Sequence, residues 1–256
     1  MTRTIAVINQ KGGVGKTTTA ANLGVALARS GKNVLLVDAD PQAHLSVSLG
    51  HPDAEPSLYE VLTGKGSLQD VAVSVEKGVD LVPADITLAR ADMELSWQPG
   101  KDFILREVLA SASERDFTLI DCPPSLGLLT LNALTASDEV LIPLQAEFLP
   151  LRGISQLIEA IDLVRSRTNP GLSITGVLFT RWDGRKVLSR ETLEQAGTCF
   201  GNALMKTRIR ECVSLAEAPG NGQHIFDYAP RSNGASDYLD MAHEVLAMNP
   251  AGRARN

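Results

Sequence analysis

Residues Lys11 to Thr18 read Lys-Gly-Gly-Val-Gly-Lys-Thr-Thr, a pattern suited to holding a polyphosphate. Glycines let consecutive backbone N–H groups close on phosphate oxygens, and a helix beginning near Lys16 turns its positive dipole end to the same charge. Lys16 would reach the β- and γ-phosphates of a nucleotide, and the Thr17 hydroxyl would hold Mg²⁺. The ordinary phosphate loop is G-x-x-x-x-G-K-[ST]. Counting back from Gly15-Lys16-Thr17 puts Gln10 at its first glycine and a second cation, Lys11, beside it.

Two carboxylate segments accompany the loop. Asp38-Ala39-Asp40-Pro41-Gln42 follows one apolar run, and Asp121-Cys122-Pro123-Pro124 follows another, Phe117 to Ile120. Carboxylates at such ends can anchor Mg²⁺ through its waters and orient an attacking water.

For these groups to meet, the apolar runs must be neighbouring parallel strands. Thr4 to Asn9, Asn33 to Asp38, Val79 to Pro83, Phe117 to Asp121, Glu139 to Leu144 and Ser173 to Phe179 have the length of buried strands. Amphipathic segments separate them. In Arg152 to Thr168, Ile154, Leu157, Ile158, Ile161 and Val164 recur at helical spacing until Asn169-Pro170-Gly171. A last helix runs from Ala235 through Leu246 to a stop near Asn249-Pro250, and Gly50 to Gly66 reads as a surface excursion. The alternation predicts an α/β fold with a doubly wound, mostly parallel sheet flanked by helices, whose carboxyl edge gathers all three segments. No linker or repeat divides residues 1–256, so a single domain is expected.

Composition narrows the function classes. A formal net charge of -6 gives no global attraction to nucleic acid or anionic lipid, so either would need a local basic patch. No apolar stretch approaches the roughly 20 residues that cross a bilayer. Cys122, Cys199 and Cys212 lack paired spacing, which argues against disulfides and structural zinc and for a reducing cytoplasm. His44, His51, His224 and His243 share no metal-ligand spacing, so surface or hydrogen-bonded roles are expected.

Together these residues resemble the deviant Walker A ATPases, and within them the ParA/Soj group of partitioning proteins. Gln10 to Thr18 is similar to the deviant Walker A loop, Asp38 to Gln42 to switch I, and Asp121 to Ser125 to Walker B with switch II. Pro143-Leu144-Gln145 and Leu215-Ala216-Glu217-Ala218-Pro219 resemble further family signatures, so the likeness runs through nearly the whole chain. The resemblance implies a P-loop fold and a slow Mg²⁺-dependent ATPase that forms a sandwich homodimer with ATP. Nucleotide contacts would come from Lys11, Gly12, Gly13, Val14, Gly15, Lys16, Thr17 and Thr18. Lys11 would touch the phosphates held by the other subunit, and Lys11, Lys16 and Asp40 would be catalytic. Thr17, Asp40 and Asp121 would serve the metal, with Asp40 placing the hydrolytic water, Asp121 standing behind the ion and Asp38 in support.

The resemblance further implies nonspecific DNA binding by the ATP dimer, hence a cytoplasmic protein on the nucleoid when ATP-bound. A ParB-like or analogous adaptor would stimulate hydrolysis, and the cargo would be DNA or a protein complex. A nucleotide-gated interaction switch with little intrinsic hydrolysis is the alternative. Basic candidates for DNA are Arg181, Arg185, Lys186 and Arg190, in and after the loop following Phe179, with Lys206, Arg208 and Arg210. Arg185 falls on a DNA-contacting position of the family. Ser214 stands where the family has a second such arginine, and Ile209-Arg210-Glu211-Cys212 replaces Ile-Pro-Arg-Asn. Trp182 is expected to pack. A MinD-like membrane ATPase would need a basic amphipathic helix where Pro250 is followed by six residues, so no membrane contact is expected. A metal-cluster carrier would need a presented cysteine pair, whereas Cys122 reads as a small buried residue.

Overall fold

The computed structural model describes residues 2–146 and 151–248, with only the backbone described for 151–153. The strands are β1 (Arg3–Val7), β2 (Val34–Asp38), β3 (Val73–Glu76), β4 (Val79–Val82), β5 (Phe117–Asp121), β6 (Glu139–Gln145), β7 (Ser173–Trp182) and β8 (Leu204–Arg210). The helices in the first half are α1 (Lys16–Arg29), α2 (His44–Ser48), α3 (Leu58–Leu62), α4 (Leu68–Val71), α5 (Leu88–Leu95), α6 (Ile104–Ala110) and α7 (Leu128–Ala136). In the second half are α8 (Leu151–Arg167), α9 (Val187–Phe200), α10 (Val213–Glu217), α11 (Ile225–Tyr228) and α12 (Asn233–Ala247).

Among the described residues, all eight strands join one sheet in the order β3-β4-β2-β5-β1-β6-β7-β8. Only the β3–β4 pairing is antiparallel; the others are parallel. Side chains alternate across the sheet. Ile5, Val7, Leu36 and Leu119 face a core with α1 and α12, while Ala6, Ile8, Val37 and Ile120 face one with α3, α5, α7 and α8. A central strand apolar on both sides can therefore bury every residue, at about 1.5–3 kcal/mol for each large side chain. Helix α1 lies so close that a Cβ on Gly24 would stand 2.6 Å from Leu36 Cδ2.

The register aligns Asp38 with Asp121 across β2–β5, and Asp121 with Val7 across β5–β1. The phosphate-loop segment after Val7 and both acidic segments consequently leave the same edge of the sheet, as the parallel arrangement requires.

Three expectations change. Strands β3 and β8 were not foreseen. Both are edge strands in which apolar and polar residues mix, and such edges commonly carry charge. Lys206, Arg208 and Arg210 therefore project from a strand. Strand β7 runs on to Trp182, so Arg181 lies within it, at the left-handed φ of 49°. Gly50 to Gly66 is only partly a surface excursion, because Leu58, Tyr59, Val61 and Leu62 of α3 are buried in the core beneath a Ser57–Glu60 capping box. Helix α12 ends at Ala247, with Met248 extended, in agreement with a stop near Asn249-Pro250; residues 249–256 lie outside the described residues.

Candidate nucleotide-binding site

Gly13 (φ 73°) and Gly15 (φ 88°) occupy the left-handed region that L-side chains avoid. Gly15 sits at the N-cap of α1 with no side-chain cap, which leaves the first amides of the helix free for an anion. Carbonyls of the loop are held from behind. Gln145 Nε2 donates to Gly13 O at 3.2 Å, and Thr180 Oγ1 donates to Val14 O at 2.8 Å. Asn9 accepts the Lys11 N–H at 3.0 Å and donates through Nδ2 to Pro143 O at 2.7 Å. With carbonyls tied back, amides are left to face a ligand. Nothing in the sequence alone predicts a role in the loop for Asn9, Gln145 or Thr180, although Gln145 ends the Pro143-Leu144-Gln145 segment. Their effect depends on contacts across β6 and β7.

The two lysines of the loop differ. Lys16 is buried, at 8% exposure, and lines a cavity of about 590 Å³ with Gly13, Val14, Gly15, Thr17 and Thr18. Lys11 is exposed and is not part of that lining. The cavity extends past Thr180 and Arg181 to Ile209, Glu211 and Val213, leaving room for a nucleoside beside the phosphate loop.

Thr17 Oγ1 donates to Asp121 Oδ2 at 2.7 Å, while Asp121 Oδ1 is buried without a partner. Asp38 is fully buried and accepts from Ser46 N at 2.8 Å, Ser46 Oγ at 2.7 Å and Asp40 N at 3.2 Å. Asp40, 7% exposed, accepts the Gln42 N–H at 3.0 Å. Expected together, Lys16, Thr17, Asp38, Asp40 and Asp121 do converge. Burial pushes Asp38 up to about 6, against the hydrogen bonds from Ser46. Burial, then the charge of Asp38, pushes Asp121 well above the usual carboxylate range. The cluster is thus deficient in positive charge. An orphaned carboxylate oxygen beside a threonine hydroxyl fits a hard, oxygen-seeking cation such as Mg²⁺.

These shifts fix a pH dependence. Asp38 binds its proton more tightly folded than unfolded, so its contribution is fully present below about pH 4 and lost as pH rises through about 6. Thermal melts without added ligand should show wild type losing stability relative to Asp38→Asn as pH rises over that window; parallel curves would refute the assignment.

The basic candidates differ in what they touch, and Arg185 remains almost wholly exposed. Arg185 bonds Asp183 through Nε and Nη2, both at 2.9 Å, and this holds Asp183 down at about 2. Lys186 pairs with Glu211 at 3.4 Å, and Arg210 with Asp237 at 2.6 Å. The Arg208 guanidinium lies 4.8 Å from the Trp182 ring centroid, and Trp182 packs against Phe179. Among the described residues Arg181, Arg190 and Lys206 show no ion pair, and Arg181 borders the nucleotide-sized cavity. Cys122 is buried beside Asp121, its thiol pushed up by burial. His224 is buried, with Nε2 3.3 Å from Glu76 and 3.2 Å from Asp227. No helix among the described residues is long and apolar enough to cross a membrane.

A family model described as an AAA domain matches residues 2–174. Over 252 residues the chain is 46% identical to the sporulation initiation inhibitor protein Soj of Bacillus subtilis (strain 168), covering 96% of this chain and 99% of that one. It is 42% identical to the chromosome partitioning protein ParA of Caulobacter vibrioides, covering 96% and 94%. A solved structure from Mycobacterium smegmatis, named cobyrinic acid a,c-diamide synthase and holding ADP and magnesium, is 40% identical with a TM-score of 0.85, covering 96% and 94%.

Proposed function

Because the chain belongs to the ParA/Soj family of partitioning ATPases, we propose that it is a nucleotide-gated switch that binds and hydrolyses ATP, pairs with a second copy while ATP is bound, and releases it after hydrolysis. One observation carries this reading: Lys16 is buried against its own cavity while Lys11, five residues earlier in the same loop, is exposed and outside that cavity. A single triphosphate has little need of both. In a face-to-face dimer Lys11 reaches the phosphates of the partner and meets the charge that develops on the transferred group.

The residues divide the work by position. Amides of Gly13 to Thr18 and the Lys16 ammonium hold the phosphates, and Thr17 with Asp121 would hold the metal. When bound, Mg²⁺ supplies positive charge against the β- and γ-phosphates. Asp40, braced by the Gln42 N–H, orients the attacking water. Asp38 is spent on the turn that carries Asp40, since its oxygens take the Ser46 and Asp40 amides. Phosphate release with water as the only acceptor separates this reading from the diamide-synthase activity named for the Mycobacterium smegmatis relative.

In its ATP-bound pair the protein binds DNA without reading bases and hydrolysis is stimulated by a ParB-like or analogous adaptor, so that DNA or another cargo is moved or placed on the nucleoid. Arg185 stays almost wholly exposed and Lys186 pairs only at the surface, where an ion pair holds a side chain weakly, so Arg181, Arg185, Lys186, Arg190 and Lys206 can all turn to phosphate, while Arg210 is tied to the buried Asp237; pairing doubles the set. With about six or more phosphates neutralised by the pair the interaction should be steeply salt-sensitive, falling at least about 1,000-fold between about 50 and 200 mM salt. A filter-retention titration with ATP, ADP and no nucleotide tests this: ATP-dependent, salt-sensitive retention is expected, and equal retention in all three would defeat it.

A further inference from the structure

Helix α7 starts at Leu128, directly after the segment 122–127 that leaves Asp121, and its N-cap Gly127 has no side chain to bond the free amides. The first N–H groups of a helix need acceptors from outside it. Here one comes from another element. Asp92 of α5 accepts the Leu129 N–H through Oδ1 at 3.1 Å. Its second oxygen, Oδ2, stands 3.0 Å from the place a Cβ would take on Gly127. The same carboxylate therefore bonds residue 129 and fills the space beside residue 127, with its charge at the positive end of the helix.

Two further bonds join this helix start to the segment before it. Thr130 Oγ1 donates to Ser125 O at 2.6 Å, and Leu131 N donates to Gly127 O at 3.1 Å. The segment begins at Asp121, which takes the Thr17 hydroxyl, and Cys122 N donates to Val7 O at 3.2 Å where the phosphate loop leaves β1. On α5, Leu88, Ala91 and Leu95 are buried in the core, so Asp92 is presented from a fixed base. A displacement of α5 is passed to the segment through one carboxylate.

We infer that Asp92 is a positioning residue for ATP hydrolysis, holding the start of α7 and with it the segment after Asp121 in the arrangement that the reaction uses; this rests on the hydrolase reading above. The ground-state phosphate contacts come from the loop ahead of α1, which Asp92 does not touch. Its loss should therefore lower the rate and spare nucleotide affinity.

The test compares Asp92→Ala, Asp92→Asn, Gly127→Ala and the Asp92→Ala/Gly127→Ala pair with wild type, in ATP turnover and in fluorescent-nucleotide Kd. Asparagine keeps Oδ1 as acceptor. Alanine at Gly127 (φ -77°) strains no backbone, and its Cβ, 3.0 Å from Oδ2, obliges the carboxylate to shift by a few tenths of an ångström, which weakens the 3.1 Å bond to Leu129 N. Asp92→Ala and Gly127→Ala should each lower kcat about 10-fold, the worth of one helix-cap bond, with Kd within about 2-fold. Asp92→Asn should restore kcat to within about 2-fold, and the pair should be no slower than Asp92→Ala alone. Wild-type kcat in Asp92→Ala, an equal loss in Asp92→Asn, or additive losses in the pair would each overturn the inference. If Asp92→Ala fails to fold by circular dichroism, Gly127→Ala decides alone: a lowered kcat at kept Kd supports the inference, and an unchanged kcat overturns it. Absence of hydrolysis in the wild type would instead remove the hydrolase reading, and the inference with it.

Discussion

Lys16→Ala is expected to weaken ATP binding at least about 100-fold, because two charge-assisted hydrogen bonds to phosphate, each about 1.5–3 kcal/mol, go with the ammonium. The effect is large because no other lysine of the loop takes its place: Lys11 lies outside the cavity that Lys16 lines. Lys16 also lowers the proton affinity of Asp121, so its removal leaves the buried carboxylates still shorter of positive charge. Isothermal titration with ATP and Mg²⁺, alongside a thermal melt, separates lost binding from lost folding. A folded Lys16→Ala that binds ATP within a few-fold of wild type would contradict the placement of the phosphates.

Asp40→Ala should leave ATP bound and lower hydrolysis by at least about 100-fold, as expected when the group that orients or activates a nucleophile is removed. The variant tests position more than charge. Asp40 is buried, belongs to the turn after β2 and is steadied by Gln42 N, whereas the loop amides and Lys16 are untouched by its loss. Truncation leaves the Gln42 amide without that acceptor, at about 1 kcal/mol of stability. Loss of ATP binding in parallel with activity would show that Asp40 supports the site rather than the reaction.

How far the sequence disclosed these arrangements depended on whether the cause was local. Gly13 and Gly15 are legible because only glycine adopts their φ cheaply, and the central strands because burial on both faces demands unbroken apolar runs. The shared edge of Val7, Asp38 and Asp121 followed from parallel connections alone. Strands β3 and β8 were not legible, since an edge strand need not be apolar on both faces. Nor were the ties of Gln145 and Thr180 to the phosphate loop, which come from strands more than a hundred residues away. The pairing of Arg210 with Asp237 depends on where α12 packs against β8. A cation cluster in sequence says nothing of the acids that folding brings to it. The same holds for Asp92, which in sequence is one acid on an amphipathic helix and in the fold caps another.

The account turns on the outward Lys11 and on a dimer that ATP assembles. The most direct test is the molar mass of Asp40→Ala, measured by light scattering during size exclusion with ATP and Mg²⁺ and again with ADP. A dimer with ATP and a monomer with ADP is the predicted result; a monomer in both would contradict it.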